Sequence, residues 1–476
     1  MAVTPKLVPA SLAEALPDPE RVAALQAELE AQGVRWILSC WVDLLGIPKT
    51  KPVPVHQLGA LCRGKGPQFA VHSVSMVPEL GPADPDQIAL PDLDSLIICP
   101  WDETIAWVFS DLYWEGAPYN VCPRLALKRQ MERAALAGYH VNAGFEPEFS
   151  VLKEVDGQLV KAFGESSASI DGTRLRLQAY GYDAEHSLDG LGFLEDVRIA
   201  MDKLGWGLSN VVCEGAFSQF ELDYNFSDAL TTADRFCFMR VMLKELGKRH
   251  GLVVSFMPKP TDGDWRNGAH INHSLAPVDD PDGNLFKDEN GDWSPLVDAA
   301  IGGLKRHGAA LTAVACSTVN SYKGLVGTTD SLEGGTLTWA PTHICHGHNN
   351  RSAMIRLPLT RKAIENRACD TAVNPYLALS MTIGATLAGV QEQLEPGPAI
   401  DKPLYDVSAA EAEEAGIQRL PGTLLEAINA FAADELAKDV FGETMHTLFV
   451  RYKRDEWTRF HEHVTAWEQI EYLRFF

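Results

Sequence analysis

The stretch F-E-P-E-F at residues 145–149 decides how the rest of the chain is interpreted, because it sets Glu146 and Glu148 two positions apart among apolar neighbours. The surrounding run, 139–151, is rich in strand-forming residues, and on a strand residues i and i+2 share one face. Two carboxylates on one face repel each other unless a cation or a proton lies between them. The pattern therefore indicates either a cation-binding strand or an exposed strand with two ordinary surface glutamates.

More acidic residues and one histidine lie on other short strand-like segments, separated by long helical patterns. Glu214 and Glu221 bracket E-G-A-F-S-Q-F-E. His270 stands in N-G-A-H-I-N-H-S, and Glu365 stands in A-I-E-N-R. Carboxylate oxygens are the ligands that hard divalent cations prefer, and imidazole also binds metals. For the histidine taken alone, a buried structural role is the alternative.

Composition limits the classes of function. The 476 residues suffice for two domains and a sizeable core, and the formal charge of −23 argues against nucleic acid and anionic membranes as partners. A phosphate-bearing substrate would therefore have to be met by metal ions or arginines. No apolar run approaches the length of a membrane span, and the opening M-A-V-T-P-K lacks a signal segment. The nine cysteines form no C-x-x-C pair, which indicates reduced thiols and a cytoplasmic protein.

The pattern of elements predicts an α+β chain. Residues 1–17 are expected to be a loose arm, and the region up to about Asp111 predicts a small mixed domain. Its predicted elements are a helix from Asp18 to Ala31 and strands at Val34–Val42, Lys49–Val55, Ser95–Pro100 and Ile105–Phe109. After Pro123, β-prone segments alternate with helices predicted at Arg124–Ala137, Phe193–Leu204, Thr232–His250, Pro375–Gly389 and Thr423–Asp439. Pro277–Asp292 is expected to be a loop.

Eight short motifs, in order, make the chain resemble the glutamine synthetase superfamily, closest to its glutamate–methylamine ligase and γ-glutamylanilide synthetase branch. Each motif alone is weak, but the ordered set covers the chain from about Arg35 to Tyr405. The motifs are F-E-P-E-F (145–149), E-G-A-F-S-Q-F-E (214–221), F-M-P-K-P (256–260), N-G-A-H-I-N-H-S (267–274), N-S-Y-K (320–323), N-N-R-S-A-M-I-R-L-P (349–358), I-E-N-R (364–367) and N-P-Y (374–376).

The resemblance implies an N-terminal β-grasp domain over 18–115 and a catalytic domain over 120–476, whose antiparallel sheet, backed by helices, forms a bifunnel. ATP would enter one end and the carboxylic acid the other, with two or three Mg²⁺ or Mn²⁺ ions between them. The ligands implied for one ion are Glu148, Glu214 and Glu221. Those implied for the second are Glu146, His270 and Glu365. Ions there would remove the repulsion between a carboxylate and the ATP phosphates.

The resemblance also implies roles for arginines and polar residues. Arg351 and Arg356 match phosphate-contacting arginines, with Arg356 on the nucleotide, and Arg367 matches an arginine that binds the acid near its reacting carboxylate. A planar guanidinium suits the oxygens of both groups. Asn272 and Ser274 occupy nucleotide-side positions.

Departures from the family pattern suggest an unusual amine. The ammonia-using enzymes carry an aspartate in a D-G-S-S loop, whereas F-A-V-H-S-V-S-M (69–76) places Val71 or His72 there, if the loop is aligned correctly. An apolar replacement weakens an ammonium site and leaves room for an organic amine.

A second departure concerns the acid substrate. Gly324 follows N-S-Y-K where an arginine for the α-carboxylate is usual, and Trp265 and Arg266 precede N-G-A-H. We therefore expect Arg266 to replace the missing cation, Trp265 to line an amine pocket, and Asn267 and Gly268 to contact substrate. The alternative is that the acid is not glutamate.

Two further features lie in the family's flap region. The segment 334–351 resembles the T-W-x-P version of the amine-ligase branch and contains His343, His346 and His348. Structural or substrate-contacting roles fit these histidines better than a further metal site. Tyr405 matches a tyrosine that is adenylylated in some bacterial relatives.

These observations predict an ATP-dependent ligase that forms a γ-glutamyl amide by way of a γ-glutamyl phosphate. The amine is expected to be a small alkylamine such as methylamine or an aromatic amine such as aniline. The alternatives are a glutamine synthetase that uses ammonia and a catalytically inactive family member with a structural or regulatory role. All six ligand positions are filled, which argues against inactivity. The resemblance further implies a homo-oligomer, a dodecamer of two stacked hexamers.

Overall fold

Two sheets organise the chain in the computed structural model, which describes residues 8–65, 68–70, 81, 83–164, 181–261, 264–325 and 338–476. The N-terminal part contains helices α1 to α3, at Leu12–Ala15, Pro19–Ala31 and Leu58–Leu61. Its strands β1 to β7 lie at Trp36–Val42, Pro48–Pro54, Gln68–Phe69, Gln87–Pro91, Ile97–Ile98, Ile105–Trp114 and Ala117–Pro118.

The N-terminal sheet has a mixed topology. Its described strands run in the order β2-β1-β6-β4-β3, with β5 and β7 also paired to β6. β1 is parallel to β6 and antiparallel to β2. Helix α2 begins as expected, with the Asp18 carboxylate accepting from the Glu20 N–H at 3.0 Å, and it contributes Val22 and Leu29 to a core shared with Ile37. The N-terminal sheet domain confirms that part of the predicted fold class.

The remaining elements form the larger part of the structure. Its helices α4 to α13 lie at Pro123–Leu136, Ala184–Leu204, Ala229–Arg249, Pro295–Arg306, Gly308–Ala315, Pro375–Glu392, Ala409–Glu414, Leu424–Ala433, Glu435–His461 and Ala466–Tyr472. Its strands β8 to β18 lie at Tyr139–Val155, Gln158–Lys161, Asn210–Cys213, Gln219–Asp223, Ser227–Asp228, Leu252–Ser255, Ala269–Pro277, His343–His348, Ala353–Leu357, Ile364–Asn366 and Gln418–Arg419.

The large sheet is built around β8, the strand that contains F-E-P-E-F. Within the described residues the sheet runs β10-β11-β8-β14-β17-β16-β15-β18, and β9, β12 and β13 also pair with β8. All pairings are antiparallel except that of β15 with β16. At 17 residues β8 is long enough to pair with different strands along its length. Helices pack against this sheet, so the predicted α+β class holds.

A buried ionic cluster joins the two parts of the chain. Arg124 donates to Asp234 Oδ1 at 3.0 Å and Oδ2 at 2.8 Å, and to Asp111 Oδ1 at 2.8 Å. Lys128 donates to Asp92 at 3.0 Å and also to Asp111. Since Asp92 and Asp111 belong to the N-terminal part, the cluster ties that sheet to α4 and α6.

Several predicted helix boundaries were wrong. Helix α5 begins at Ala184 rather than Phe193, because the Asp183 side chain caps it by accepting from the His186 N–H at 2.8 Å. The helix predicted at Thr423–Asp439 is two helices, α11 and α12, separated at Asp434, and α12 changes direction where Gly442 adopts φ 73°. In the described part of the chain, no helix is both long and apolar enough to cross a membrane.

Candidate active site

Strand register places the candidate ligands directly opposite one another. Glu146 on β8 is paired with His270 on β14, and Glu148 on β8 is paired with Glu221 on β11. Glu365 on β17 is paired with Asn272, two residues beyond His270 on the same face of β14. Directly opposed residues have Cβ atoms about 4.5–5.5 Å apart. The sheet therefore gathers these side chains on one surface.

The structure groups five of the six predicted ligands in two overlapping sets. In the first, ligand atoms of Glu146, His270 and Glu365 lie within 4.8 Å of one another. In the second, ligand atoms of Glu148, Glu221 and His270 lie within the same distance of one another. The donors are carboxylates and one imidazole, which suit a divalent ion such as Mg²⁺ or Mn²⁺.

The sixth predicted ligand, Glu214, lies in the loop between β10 and β11 and lines the same cavity. It belongs to neither of the two sets found among the described residues. Its carboxylate is nevertheless close enough to raise the pKa of Glu148, so it belongs to the same electrostatic cluster.

Burial raises the pKa of three of these carboxyl groups, those of Glu148, Glu214 and Glu221. Burial, and then the charge of Glu214, raise the pKa of Glu148 to about 8. Burial raises the pKa of Glu221 well above its ordinary value, with added repulsion from Glu214, Glu146 and Glu148. The pKa of His270 is lowered, first by burial and then by the nearby Arg367. Such a cluster is stabilised by a bound cation and leaves the histidine neutral.

Backbone and amide donors hold Glu148 in place. The Gly268 N–H donates to Glu148 Oε2 at 2.8 Å, and Gln219 Nε2 donates to the same oxygen at 2.9 Å. A Cβ on Gly268 would lie 2.9 Å from Glu148 Oε1 and 3.2 Å from His270 Nε2. The glycine therefore leaves the space that both ligand atoms occupy.

Three arginines converge on Glu365, whose side chain is fully buried. Arg367 Nη1 donates to Oε1 at 2.7 Å, and Arg356 Nη1 donates to Oε2 at 2.8 Å. The third arginine is Arg361, whose Nη2 also donates to Oε2, at 2.9 Å. The excess of cations over this carboxylate makes the region suitable for binding further anions.

A cavity of about 780 Å³ is lined by His270 and by the candidate carboxylates other than Glu365, which is fully buried. Asn272, Ser274 and Phe226 line it along β14 and β8 on one side of Glu146. Trp265, Trp339 and Glu214 line it on the other side, beyond Glu148. Because a strand advances about 3.3 Å per residue, these two groups lie at opposite ends of the site.

Comparisons with known proteins agree with this geometry. The family model for the glutamine synthetase catalytic domain matches residues 120–472. The glutamate–methylamine ligase of Methyloversatilis universalis is 36% identical over 461 residues, covering 95% of this chain and 99% of its own. The chain belongs to the glutamine synthetase family. Enzymes of this family are ATP-dependent ligases, and the chain is one of them.

Other members of the glutamine synthetase family are similar over the same length. The glutamine synthetase of Rhizobium meliloti is 31% identical over 439 residues, covering 92% of this chain and 96% of its own. A solved structure of a GmaS–ADP complex superimposes with a TM-score of 0.83 at 33% identity, covering 94% of this chain and 99% of that one. Apo GmaS without ligand gives a TM-score of 0.82. The mixed α+β fold, with its N-terminal sheet domain, is therefore that of the family.

Two departures from the family pattern turn out to be neighbours in space. A Cβ on Gly324 would lie 2.7 Å from the Cβ of Arg266, so the Arg266 side chain occupies the space beside this glycine. The Arg266 guanidinium donates through Nη2 to the Arg367 carbonyl at 2.9 Å and to the Cys369 carbonyl. Nη1 is buried and has no hydrogen-bond partner among the described residues. Replacing Gly324 would therefore require Arg266 to move.

Trp265 packs beside Glu214 at the aromatic end of the cavity. A Cβ on Gly215, the residue after Glu214, would overlap the Trp265 ring, and the Trp265 and Trp339 ring centroids are 6.0 Å apart. The guanidinium carbon of Arg351 lies 5.7 Å from the Trp339 ring centroid. Tryptophan faces attract organic cations, so this end can accommodate an alkyl or aryl ammonium group.

Asn267 makes structural contacts instead of lining the cavity. It is fully buried, donates through Nδ2 to Ser150 Oγ at 3.1 Å and to the Met257 carbonyl at 2.8 Å, and accepts from Gln219 Nε2 at 3.0 Å. Its effect on the site is therefore exerted through Gln219, which holds Glu148.

Val71 and His72, the basis of the amine argument from sequence, lie outside the described residues. His343, His346 and His348 enter neither ligand set found in the described ranges. His348 contacts Asp401 at 3.2 Å, and His343 contacts Thr342 Oγ1 at 2.9 Å. Tyr405 donates its hydroxyl to the Ala340 carbonyl at 2.8 Å.

Sequence analysis missed two residues of this site. Arg361 contacts two candidate ligands, Glu146 and Glu365. It lies in a loop four residues before Glu365, where no periodic pattern indicates which way a side chain points. Phe226 lines the Asn272 end of the cavity with 67% of its surface exposed. The signal that the sequence offered for it was an aromatic residue among the polar residues of N-F-S-D, five positions after Glu221.

Proposed function

We propose that this enzyme joins the γ-carboxylate of glutamate to a small organic amine, with a small alkylamine such as methylamine preferred to an aromatic amine or ammonia. The observation that carries the choice of an organic amine over ammonia is the tryptophan-lined end of the cavity, where the Trp265 and Trp339 rings lie 6.0 Å apart and line the cavity together with Glu214. The similarity to a glutamate–methylamine ligase supports the same choice. An ammonium ion alone would gain little from this apolar wall, whereas an alkyl group can bury surface against it.

The carboxylate cluster would hold two or three Mg²⁺ or Mn²⁺ ions. We assign Glu146, His270 and Glu365 to one ion, and Glu148, Glu214 and Glu221 to another. The spacing of the first set fits a single ion. His270 also lies within 4.8 Å of ligand atoms of Glu148 and Glu221, so it is close to the second ion site as well. Bound ions would neutralise the phosphate oxygens and so let a carboxylate approach them.

The nucleotide would lie at the Asn272 end. Ser274 and Asn272 offer polar groups there, and Phe226 offers an exposed ring on which a base can stack. The solved GmaS complex with ADP is consistent with a nucleotide site in this fold. Arg351 and Arg356 would neutralise phosphate oxygens, and Arg367 would orient the acid near its reacting carboxylate.

The reaction follows from these positions. A γ-carboxylate oxygen of glutamate attacks the γ-phosphorus of ATP, and ADP leaves, which yields the acyl phosphate. The neutral amine nitrogen then attacks the acyl carbon, phosphate leaves with the electrons of the C–O bond, and the nitrogen releases a proton to water. We place the glutamate backbone near Arg266 and Gly268, and the amine against Trp265.

Mass spectrometry of the product tests this proposal. The enzyme with ATP, Mg²⁺, glutamate and methylamine should form γ-glutamylmethylamide together with ADP and phosphate in equal amounts. ADP formation that depends on methylamine but not on glutamate would contradict glutamate as the acid. No product with any amine would favour an inactive family member.

A homo-oligomer, a dodecamer of two stacked hexamers, is part of the proposal. Helix α13 buries none of its residues in the described chain, and the C-terminal segment exposes a set of apolar side chains. These are Val464, Trp467, Ile470, Leu473, Phe475 and Phe476. Contiguous apolar surface of this kind is expected to be covered by a partner. Light scattering that finds a stable and active monomer would contradict the oligomer.

A further inference from the structure

Arg361 binds two of the carboxylates to which the proposed function assigns an ion. It lies in the loop between β16 and β17, and its Nη2 donates to Glu146 Oε1 at 2.6 Å and to Glu365 Oε2 at 2.9 Å. The same nitrogen donates to Asn272 Oδ1 at 2.9 Å, and Asn272 itself donates to Glu146 Oε1 at 3.1 Å. One guanidinium therefore bridges the oxygens that a divalent ion would use.

The other two arginines on this cluster are held more firmly. Arg356 is buried and also donates to Asn349 Oδ1 at 2.6 Å. Arg367 is buried and also donates to the Arg351 carbonyl at 2.8 Å. Both would keep a partner if Glu365 changed its contacts. They are fixed parts of the site.

Arg361 differs in exposure and in anchorage. Its side chain is 40% exposed, and all of its hydrogen bonds within the described residues go to Glu146, Glu365 and Asn272. A partly exposed guanidinium without a backbone anchor is the one of the three that can leave the carboxylates at low cost.

We infer that Arg361 competes with a divalent ion for Glu146 and Glu365, and that it thereby sets the affinity of this ion site. The inference rests on the proposed assignment of Glu146, His270 and Glu365 to an ion. An ion that binds these oxygens repels the guanidinium groups that share them, and Arg361, the exposed one of the three arginines, is the one that can move away.

The displaced guanidinium remains inside the cavity. Its loop neighbours Leu359 and Thr360 line the cavity together with Asn272, at the end that we assign to the nucleotide. A free arginine there suits phosphate oxygens. Metal and nucleotide would then bind cooperatively, since a phosphate partner for Arg361 removes the competition for the carboxylates.

Mn²⁺ binding by isothermal titration calorimetry, with the full-length protein, tests the competition. Arg361→Gln should bind Mn²⁺ about tenfold more tightly than the wild type, because two partly exposed ion pairs no longer oppose the ion. Arg361→Lys should fall between them, since it keeps the charge and loses the forked geometry.

Lys362→Gln is the matched control. It removes the same charge one residue away, but the Lys362 Nζ lies 4.6 Å from the Trp293 ring centroid instead of on the carboxylates. Lys362 lines the same cavity, but the ion pairs to Glu146 and Glu365 found in the described residues are made by Arg361 and not by Lys362, so its Mn²⁺ affinity should change less than about twofold. Circular dichroism should show that each variant is folded.

Repeating the titrations with saturating ADP tests the coupling. ADP should increase the affinity for Mn²⁺ in both proteins, and the factor of increase should be about ten times larger for the wild type than for Arg361→Gln. Equal or weaker Mn²⁺ binding by Arg361→Gln, with normal binding by the wild type, would overturn the competition and leave the ion site standing. No Mn²⁺ binding by any of the proteins would overturn the proposed ion site and the competition together.

Discussion

Gly215→Ala should damage the end of the site that we assign to the amine more than the end that we assign to the nucleotide. The backbone of Gly215 is not in the left-handed region, so alanine brings no conformational strain of its own. The loss of stability therefore comes only from the steric overlap of the new methyl group. The new Cβ would overlap the Trp265 ring, with two ring atoms at 2.5 and 2.6 Å.

The size of the effect follows from this overlap. Carbon atoms pack at about 3.5–4.0 Å, so the ring has to move by about 1 Å. Overpacking of this kind costs about 1–3 kcal/mol. Because the ring lies beside Glu214 and Trp339, the displacement narrows or distorts the amine pocket. A misplacement of about 1 Å near the chemistry can reduce rates about a hundredfold.

Steady-state phosphate release is the assay. The kcat/KM for methylamine should fall by about ten- to a hundredfold, while the KM values for ATP and glutamate change little. Gly192→Ala is the matched control, since the same methyl group on α5 would meet nothing within 4 Å. A Gly215→Ala enzyme with unchanged amine kinetics would refute the placement of the amine against Trp265.

Three further predictions concern the ion site and the fold. Gly268→Ala should weaken Mn²⁺ binding by about tenfold or more, because its Cβ would press on Glu148 Oε1 and His270 Nε2; calorimetry that finds wild-type affinity would contradict this. Asp234→Ala should lower the free energy of unfolding in urea by about 3–5 kcal/mol, because it leaves the buried Arg124 with less compensation. Burial lowers the pKa of His273 and of His346 to about 4, so both stay neutral when folded while the unfolded chain takes up protons below about pH 6.5. Between pH 7 and pH 5 each of these histidines should therefore contribute a loss of about 2 kcal/mol to the free energy of unfolding, so the stability of the wild type relative to His346→Gln in urea titrations should fall by about 2 kcal/mol over that range.

The sequence predicted best those features of the fold that depend on residues close together in the chain. The alternation in F-E-P-E-F correctly predicted a strand with Glu146 and Glu148 on one face, and Asp18 correctly marked the start of α2. Local sequence patterns do not show which strands are neighbours. The resemblance to the family motifs predicted that β8, β14 and β17 bring their ligands together. Their register then brings Glu146, His270 and Glu365 together.

Features that depend on tertiary packing escaped prediction. The start of α5 depends on a cap at Asp183, and the bend in α12 depends on Gly442, neither of which disturbs a hydrophobic pattern. Arg361 reaches the site from a loop, and in a loop the spacing of residues does not indicate which way a side chain points. The fit between Gly324 and Arg266 is a contact between segments far apart in sequence; the sequence suggested that Arg266 replaces the cation missing at Gly324, but not that the two residues pack against each other.

Discrimination between amines is the most direct test of the central claim. Initial rates of phosphate release should be measured with ATP, Mg²⁺ and glutamate for ammonium, methylamine, ethylamine and aniline. An organic amine, methylamine first, should exceed ammonium in kcat/KM by at least about tenfold, which is what one buried methyl group contributes to selectivity. A preference for ammonium would contradict the account and make this enzyme a glutamine synthetase in activity as well as in family.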